Sequence, residues 1–148
     1  MRYFAYGSNM SRARLEARLG RVVDLGRARC PDRRHEFSKL GRDGSGKGNI
    51  ELARDELVWG VVYEIEPVQL ERLIEFEFGY RVVEVEVEVE LATPEPEPAV
   101  TFEALACCPG LAPTREYLEH YVAGIREHRI PDAYLAAVLG EFRRLLVE

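Results

Sequence analysis

The sequence predicts an α+β fold, a small mixed sheet or barrel with peripheral helices, on three observations. Aromatic and β-branched runs at irregular spacing mark several strands, residues 81–90 alternate valine and glutamate with a period of two, and the last third of the chain has helical patterning. No Ser/Gly linker and no internal period divides the 148 residues, so a single domain, 1–148, is expected. A chain of that size buries roughly 68–70% of its unfolded surface, enough for a core and a closed pocket.

The first element is an aromatic-rich strand over residues 2–6 that ends at Gly7-Ser8-Asn9. A helix follows over 10–19: Leu15 and Leu19 lie four apart, Asn9 or Ser11 can cap the start, and Gly20 suits the C-terminal cap. Residues 21–29 and 33–40 read as strands. The four glycines, Asp43 and Ser45 between Gly41 and Gly48 read as a mobile loop. Val58-Trp59-Gly60-Val61-Val62-Tyr63-Glu64-Ile65 has the content of a buried strand. Pro67 opens a helix that runs to about Glu77.

From Tyr80 the chain continues Arg81-Val82-Val83-Glu84-Val85-Glu86-Val87-Glu88-Val89-Glu90, which sends valines to a core and glutamates to water. Pro94, Pro96 and Pro98 mark a turn before a strand at 100–107, and helices are predicted over 113–127 and 131–147, divided at Pro131.

Composition narrows the function classes. Hydrophobic residues make up 47% and charged residues 31%, which leaves disorder aside, and no apolar run approaches the roughly 20 residues that span a bilayer. The chain opens directly into a strand pattern rather than a leader, so a cytoplasmic location and no membrane partner are expected. Cys30, Cys107 and Cys108 make no disulfide framework and read as buried, inert thiols. His35, His120 and His128 show no zinc-ligand spacing with them, so no metal or cofactor is expected.

The net charge of −6 is unevenly placed: residues 1–48 carry 12 Lys and Arg against 5 Asp and Glu, and the remaining residues 8 against 21. The basic residues are not interleaved with aromatic platforms, so the reading is of two halves that meet in one fold, without a nucleic-acid partner.

Two places carry candidate chemistry. The Tyr6-Gly7-Ser8-Asn9 turn joins a strand to a helix start, where backbone N–H groups converge beside the positive end of a helix dipole and the Ser8 and Asn9 side chains can add donors to a carboxylate. An ordinary capped turn is the plainer reading of the same four residues. Glu77 lies seven residues after Leu70, on the stripe formed by Leu70, Leu73 and Ile74, whereas Glu71 and Glu75 fall on the wet side. If that stripe is buried, desolvation raises the Glu77 pKa into the range useful for proton transfer near neutral pH. A frayed last turn would point it outward instead. Tyr80 and Arg81 follow closely as substrate contacts, against a packing role; Tyr117 and Tyr134 read as core or rim.

Phe4-Ala5-Tyr6-Gly7-Ser8-Asn9-Met10 resembles the opening signature of the gamma-glutamylcyclotransferase-like family. Val58 to Tyr63 resembles its central strand, Leu73 to Glu77 with Tyr80-Arg81 its acidic segment, and Gly124 to Tyr134 its closing helix pair, in matching order along essentially the whole chain. The resemblance implies a small mixed β-barrel or strongly curved sheet with flanking helices. It also implies an amide-cleaving cyclotransferase of gamma-glutamyl amines or amino acids that releases 5-oxoproline without a cofactor. Glu77 takes the place of the catalytic glutamate, and Tyr6, Gly7, Ser8, Asn9 and Tyr80 that of the substrate contacts.

Ile74 stands where an aspartate is frequent, Phe78-Gly79 is a short loop, and Ala104 replaces a frequent aromatic; these departures bear on substrate identity. The alternative is a binding module of the same fold without turnover. A homodimer paired through the edge of Val83–Val89 is a further expectation.

Overall fold

In the computed structural model, which describes residues 1–90 and 95–147, five strands close a barrel in the order β1-β3-β2-β4-β5. These are β1 (Arg2–Ala5), β2 (Val23–Leu40), β3 (Gly46–Glu64), β4 (Tyr80–Val89) and β5 (Glu97–Ala104). β1 runs antiparallel to β3 and closes the barrel by one parallel pairing, Tyr3 opposite Val100. β2 and β3 form a long hairpin from Val23↔Glu64 to Leu40↔Gly46.

Period-two alternation sorts the side chains into two layers. Phe4, Val62, Ala28, Cys30, Val85, Val87, Val89 and Ala99 pack together in the barrel interior. Tyr3, Ala5, Val61, Tyr63 and Phe102 point outward and are covered by helices. β1 and the centre of β3 are therefore buried on both faces, which explains their lack of polar alternation.

The covering helices are α1 (Arg12–Leu19), α2 (Pro67–Phe76), α3 (Arg115–Glu127) and α4 (Asp132–Leu139). The starts of α1, α2 and α3 have the expected capping chemistry, while α4 begins after Pro131 without a side-chain cap. Ser11 Oγ accepts from Arg14 N, Thr114 Oγ1 from Tyr117 N, and Glu66 and Gln69 form a capping box ahead of Pro67. Leu15, Leu19, Leu73, Leu118, Tyr121 and Ile125 join the outer core.

Several expectations shift. Residues 21–29 and 33–40 belong to one strand, because the chain continues its pairing across an irregularity at Pro31/Arg33, where Asp32 takes φ 59°. The glycine-rich segment is a tight turn only to Ser45, and Gly46 and Gly48 are buried in β3. β3 also includes 46–57, which lacks the β-branched content of its second half and gave no strand signal.

β5 ends at Ala104 rather than 107, and Cys107 is exposed instead of buried. The helix expected over 131–147 stops at Leu139, since Gly140 turns with φ 49° into a 3₁₀ segment over Gly140–Leu146. Pro94 of the predicted turn lies outside the described residues. β4 lies between β2 and β5: it pairs with β5 from Tyr80 to Val87 and with β2 only at Glu88 and Val89. No described helix is long and apolar enough to cross a membrane.

Candidate functional site

A cavity of about 330 Å³ opens where the end of β1, the end of α2 and the β2–β3 turn meet. All five predicted contacts and Glu77 line it. Arg81 does not: its guanidinium lies on the surface, paired with Glu103 at 2.8–2.9 Å.

Residues Ser8–Met10 form a 3₁₀ turn, closed by Met10 N to Gly7 O (3.0 Å) and Ser11 N to Ser8 O (3.2 Å). The Gly7, Ser8 and Asn9 amides precede its first internal donor and, among the described residues, find no backbone acceptor. The turn is separate from α1, which starts four residues later than Ser8. Its side chains are committed within the protein rather than waiting for a ligand: Ser8 Oγ accepts from Arg14 Nε at 3.0 Å, and Asn9 Oδ1 from Arg18 Nη1 at 3.2 Å.

Asn9 Nδ2 donates to Glu77 Oε1 at 3.0 Å and to the Tyr3 hydroxyl at 3.1 Å. Asn9 therefore positions the carboxylate.

Glu77 is the C-cap of α2 (φ −97°, ψ 54°), one residue beyond the helix whose periodicity suggested it. It is inward all the same: its side chain is 17% exposed, while Ile74, assigned by periodicity to the same stripe, is 45% exposed. The turn out of the helix, with Glu77 N shared between Leu73 O and Ile74 O, swings the carboxylate toward Asn9. Burial raises the Glu77 pKa above its ordinary value; Arg18 at 3.7 Å, the Asn9 hydrogen bond, Arg14 and Lys39 pull back without cancelling the shift.

Tyr6 and Tyr80 act as walls more than donors. Tyr6 gives its hydroxyl to Phe102 O at 2.5 Å and Tyr80 to Gly48 O at 2.7 Å. Gly48 N in turn donates to the Tyr117 hydroxyl at 2.9 Å. Behind Tyr117, Tyr121 meets His35 Nε2 at 2.7 Å, and burial pushes the His35 imidazole down to about 3. His35 is thus neutral in this network at ordinary pH.

Sequence reasoning missed half of the cavity. Tyr3, Tyr117 and five cations, Arg14, Arg18, Lys39, Arg42 and Lys47, also line it. The signal was present in the basic excess of residues 1–48, which supply all five. Arg14 and Arg18, four apart beside the buried Leu15 and Leu19, also flank the core face of α1. Among the described residues no group of three or more His, Cys, Asp or Glu is placed to hold a metal ion.

The AIG2-like family matches over residues 57–138, more than half of the chain. Among solved structures, the chain is similar to a gamma-glutamyl cyclotransferase at 23% identity, with 95% of this chain and 86% of that one covered and a TM-score of 0.84. It is similar to an uncharacterised protein of Homo sapiens at 24% identity, with 94% and 86% covered and a TM-score of 0.83. It also resembles YkqA of Bacillus subtilis at 22% identity and a TM-score of 0.79, where 99% of this chain covers 54% of that one. At these identities the likeness is one of fold. No curated protein sequence matches the chain.

Proposed function

The chain belongs to the AIG2-like family, with a gamma-glutamyl cyclotransferase-like fold, and on that premise we propose that it cleaves gamma-glutamyl amides by intramolecular attack of the α-amino group. The observation that carries the proposal is Glu77: a carboxylate withdrawn from water, facing a cavity, held by Asn9 and raised in pKa. A buried carboxylate of raised pKa suits proton exchange with an amine near neutral pH.

In this reading the substrate α-carboxylate lies on the free amides of Gly7, Ser8 and Asn9, with Arg14 and Arg18 behind them. The α-nitrogen then faces Glu77 and attacks the γ-carbonyl, the new N–C bond forming as the old C–N bond breaks. Between ammonium and lactam N–H the α-nitrogen gives up two protons, and the departing nitrogen gains two in leaving as an ammonium. One carboxyl that shuttles twice balances the reaction, and no water is consumed.

Because nucleophile and electrophile share one molecule, holding the folded-back conformer does much of the work; well-oriented intramolecular reactions reach effective molarities of roughly 10⁵–10⁸ M. The backbone amides also suit a developing oxyanion. Products are 5-oxoproline and a free amine or amino acid. Supplying a panel of gamma-glutamyl amino acids and amines and quantifying 5-oxoproline tests the proposal. Product from at least one member is expected; binding without product on all of them favours a non-catalytic module of the same fold.

A further inference from the structure

The cavity's five cations fall into two groups. Arg14 and Arg18 stand at the anchor turn and are engaged with Ser8, His120, Asn9 and Glu77. Lys39 at the end of β2, Arg42 in the β2–β3 turn and Lys47 at the start of β3 stand over the aromatic rings at the other wall: Lys39 over Tyr80 (5.0 Å) and Phe78 (5.8 Å), Arg42 over Phe78 (4.5 Å), Lys47 over Tyr117 (4.5 Å).

Lys39 is the informative member. It is 8% exposed, yet among the described residues no carboxylate comes within ion-pair distance of its ammonium and no acceptor bonds it. Its neighbours within reach are aromatic faces and the backbone of Gly79, which takes φ +84°. A Cβ there would lie 2.8 Å from Lys39 Cε and 3.0 Å from Nζ. The chain thus leaves a side chain out, two residues after Glu77, at the spot where this ammonium crosses the cavity wall.

The Lys39 ammonium reaches the cavity, and an anion from a ligand is the partner there that the protein itself does not supply. Among the described residues Asp43, exposed and 3.5 Å from Lys47, is the one carboxylate in an ion pair with the group; one negative charge against three leaves an excess of two positive charges facing Glu77.

Resting on the cyclotransferase reading, we infer that Lys39, Arg42 and Lys47 form an anion subsite for the departing half of the substrate, and that this half is a dicarboxylic amine, as in gamma-glutamylglutamate or gamma-glutamylaspartate. The α-carboxylate of the glutamyl half occupies the anchor side, Glu77 lies between the two cationic groups, and the scissile amide spans the gap. Electrostatics agree with that division: Lys39 feels Arg42 and Lys47, Arg14 feels Arg18, and both feel Glu77.

The test compares gamma-glutamylglutamate with gamma-glutamylethylamide, whose departing half is neutral. Calorimetric affinities are measured in the Glu77→Gln chain, so that turnover does not intrude, alone and combined with Lys39→Met, Arg42→Gln or Lys39→Arg. The expected result is tighter binding of the dicarboxylate by about tenfold, a ratio that shrinks with salt, falls toward one in Lys39→Met and Arg42→Gln, and is retained in Lys39→Arg. Arg42 is exposed, so its variant keeps the test open should Lys39→Met fold poorly. Equal affinities, no binding of either compound, or a ratio indifferent to both charge removals overturns the inference. Release of 5-oxoproline by the wild-type chain decides the cyclotransferase reading separately, since either claim can fail without the other.

Discussion

Gly124→Ala tests how the closing helix pair supports the anchor turn. Gly124 is buried in α3, and a Cβ built there would lie 2.5 Å from Met10 C, 2.5 Å from Met10 Cβ and 2.6 Å from Ser11 N, against 3.4–4 Å for ordinary contact. Two of the three obstacles are backbone atoms of the 3₁₀ turn and the α1 cap, so a shift of about 1 Å is needed and no flexible side-chain end can absorb it. Overpacking of this kind costs about 1–3 kcal/mol, and the rigidity of the obstacle places it at about 3.

Alanine in place of glycine in a helix returns about 1 kcal/mol. The net is about 2 kcal/mol of destabilisation, which for a chain of this size is a fall in Tm of about 4–8 °C. Met10 O also accepts the Tyr63 hydroxyl at 2.9 Å, so the displacement spreads into the core and the Gly7–Asn9 amides move with it. A 1 Å misplacement of binding groups costs up to about 10²-fold in rate. Thermal melts followed by circular dichroism, with kcat/KM on any accepted substrate, check both effects. A Tm equal to or above that of the wild type would mean that helix propensity outweighs the clash and would refute the reasoning.

Three further outcomes follow from the same structure. A carboxyl whose pKa is raised on folding gives stability that is complete below its ordinary pKa of 4.5 and lost as pH rises through the folded value. Glu77→Gln should therefore be more stable than the wild type at pH 7 in denaturant melts, with the advantage fading below pH 4.5; a less stable variant at pH 7 contradicts the burial argument.

His128 donates Nδ1 to Gly124 O (2.7 Å) and Nε2 to Asp24 Oδ2 (2.6 Å). Burial works against charge on both members, and their mutual bond overcomes it, raising His128 and lowering Asp24. The pair stabilises fully between about pH 3.8 and 6.5. That contribution is lost as pH falls through the depressed Asp24 value or rises through the raised His128 value. His128→Ala should cost about 1.5–3 kcal/mol near pH 6 and less at pH 9; a cost that does not change with pH would show that packing alone is at stake. Ser11→Ala removes the α1 cap and should cost about 1 kcal/mol by chemical denaturation, with no measurable change counting against the cap.

Much of the fold was legible because it rests on local rules. The valine alternation of β4, the Gly20 and Pro67 punctuation and the Ser11 cap follow from one stretch of chain each. What escaped depends on partners distant in sequence. Residues 46–57 are strand because β2 pairs with them, and Pro31 and Asp32 do not end β2 because β3 continues opposite them.

Glu77 shows both sides of this. Helical periodicity pointed to the right residue by a route the fold does not use, since the helix ends at Phe76 and the cap geometry aims the carboxylate inward while Ile74 faces solvent. The side-chain engagements of Ser8 and Asn9 were not legible, because Arg14, Arg18 and Glu77 come to them only in three dimensions. The +7 balance of residues 1–48 was visible in the composition, but that five of its cations converge on one cavity depends on the β2–β3 hairpin folding back toward α1.

The central claim is that the Glu77 carboxylate is the proton shuttle. Its most direct test is kcat/KM for 5-oxoproline release by wild type and Glu77→Gln, which keeps the size and the Asn9 acceptor but not the base. A fall of about 10²–10⁴-fold with the fold intact is predicted, and a value unchanged by the substitution would place the base elsewhere and contradict the account.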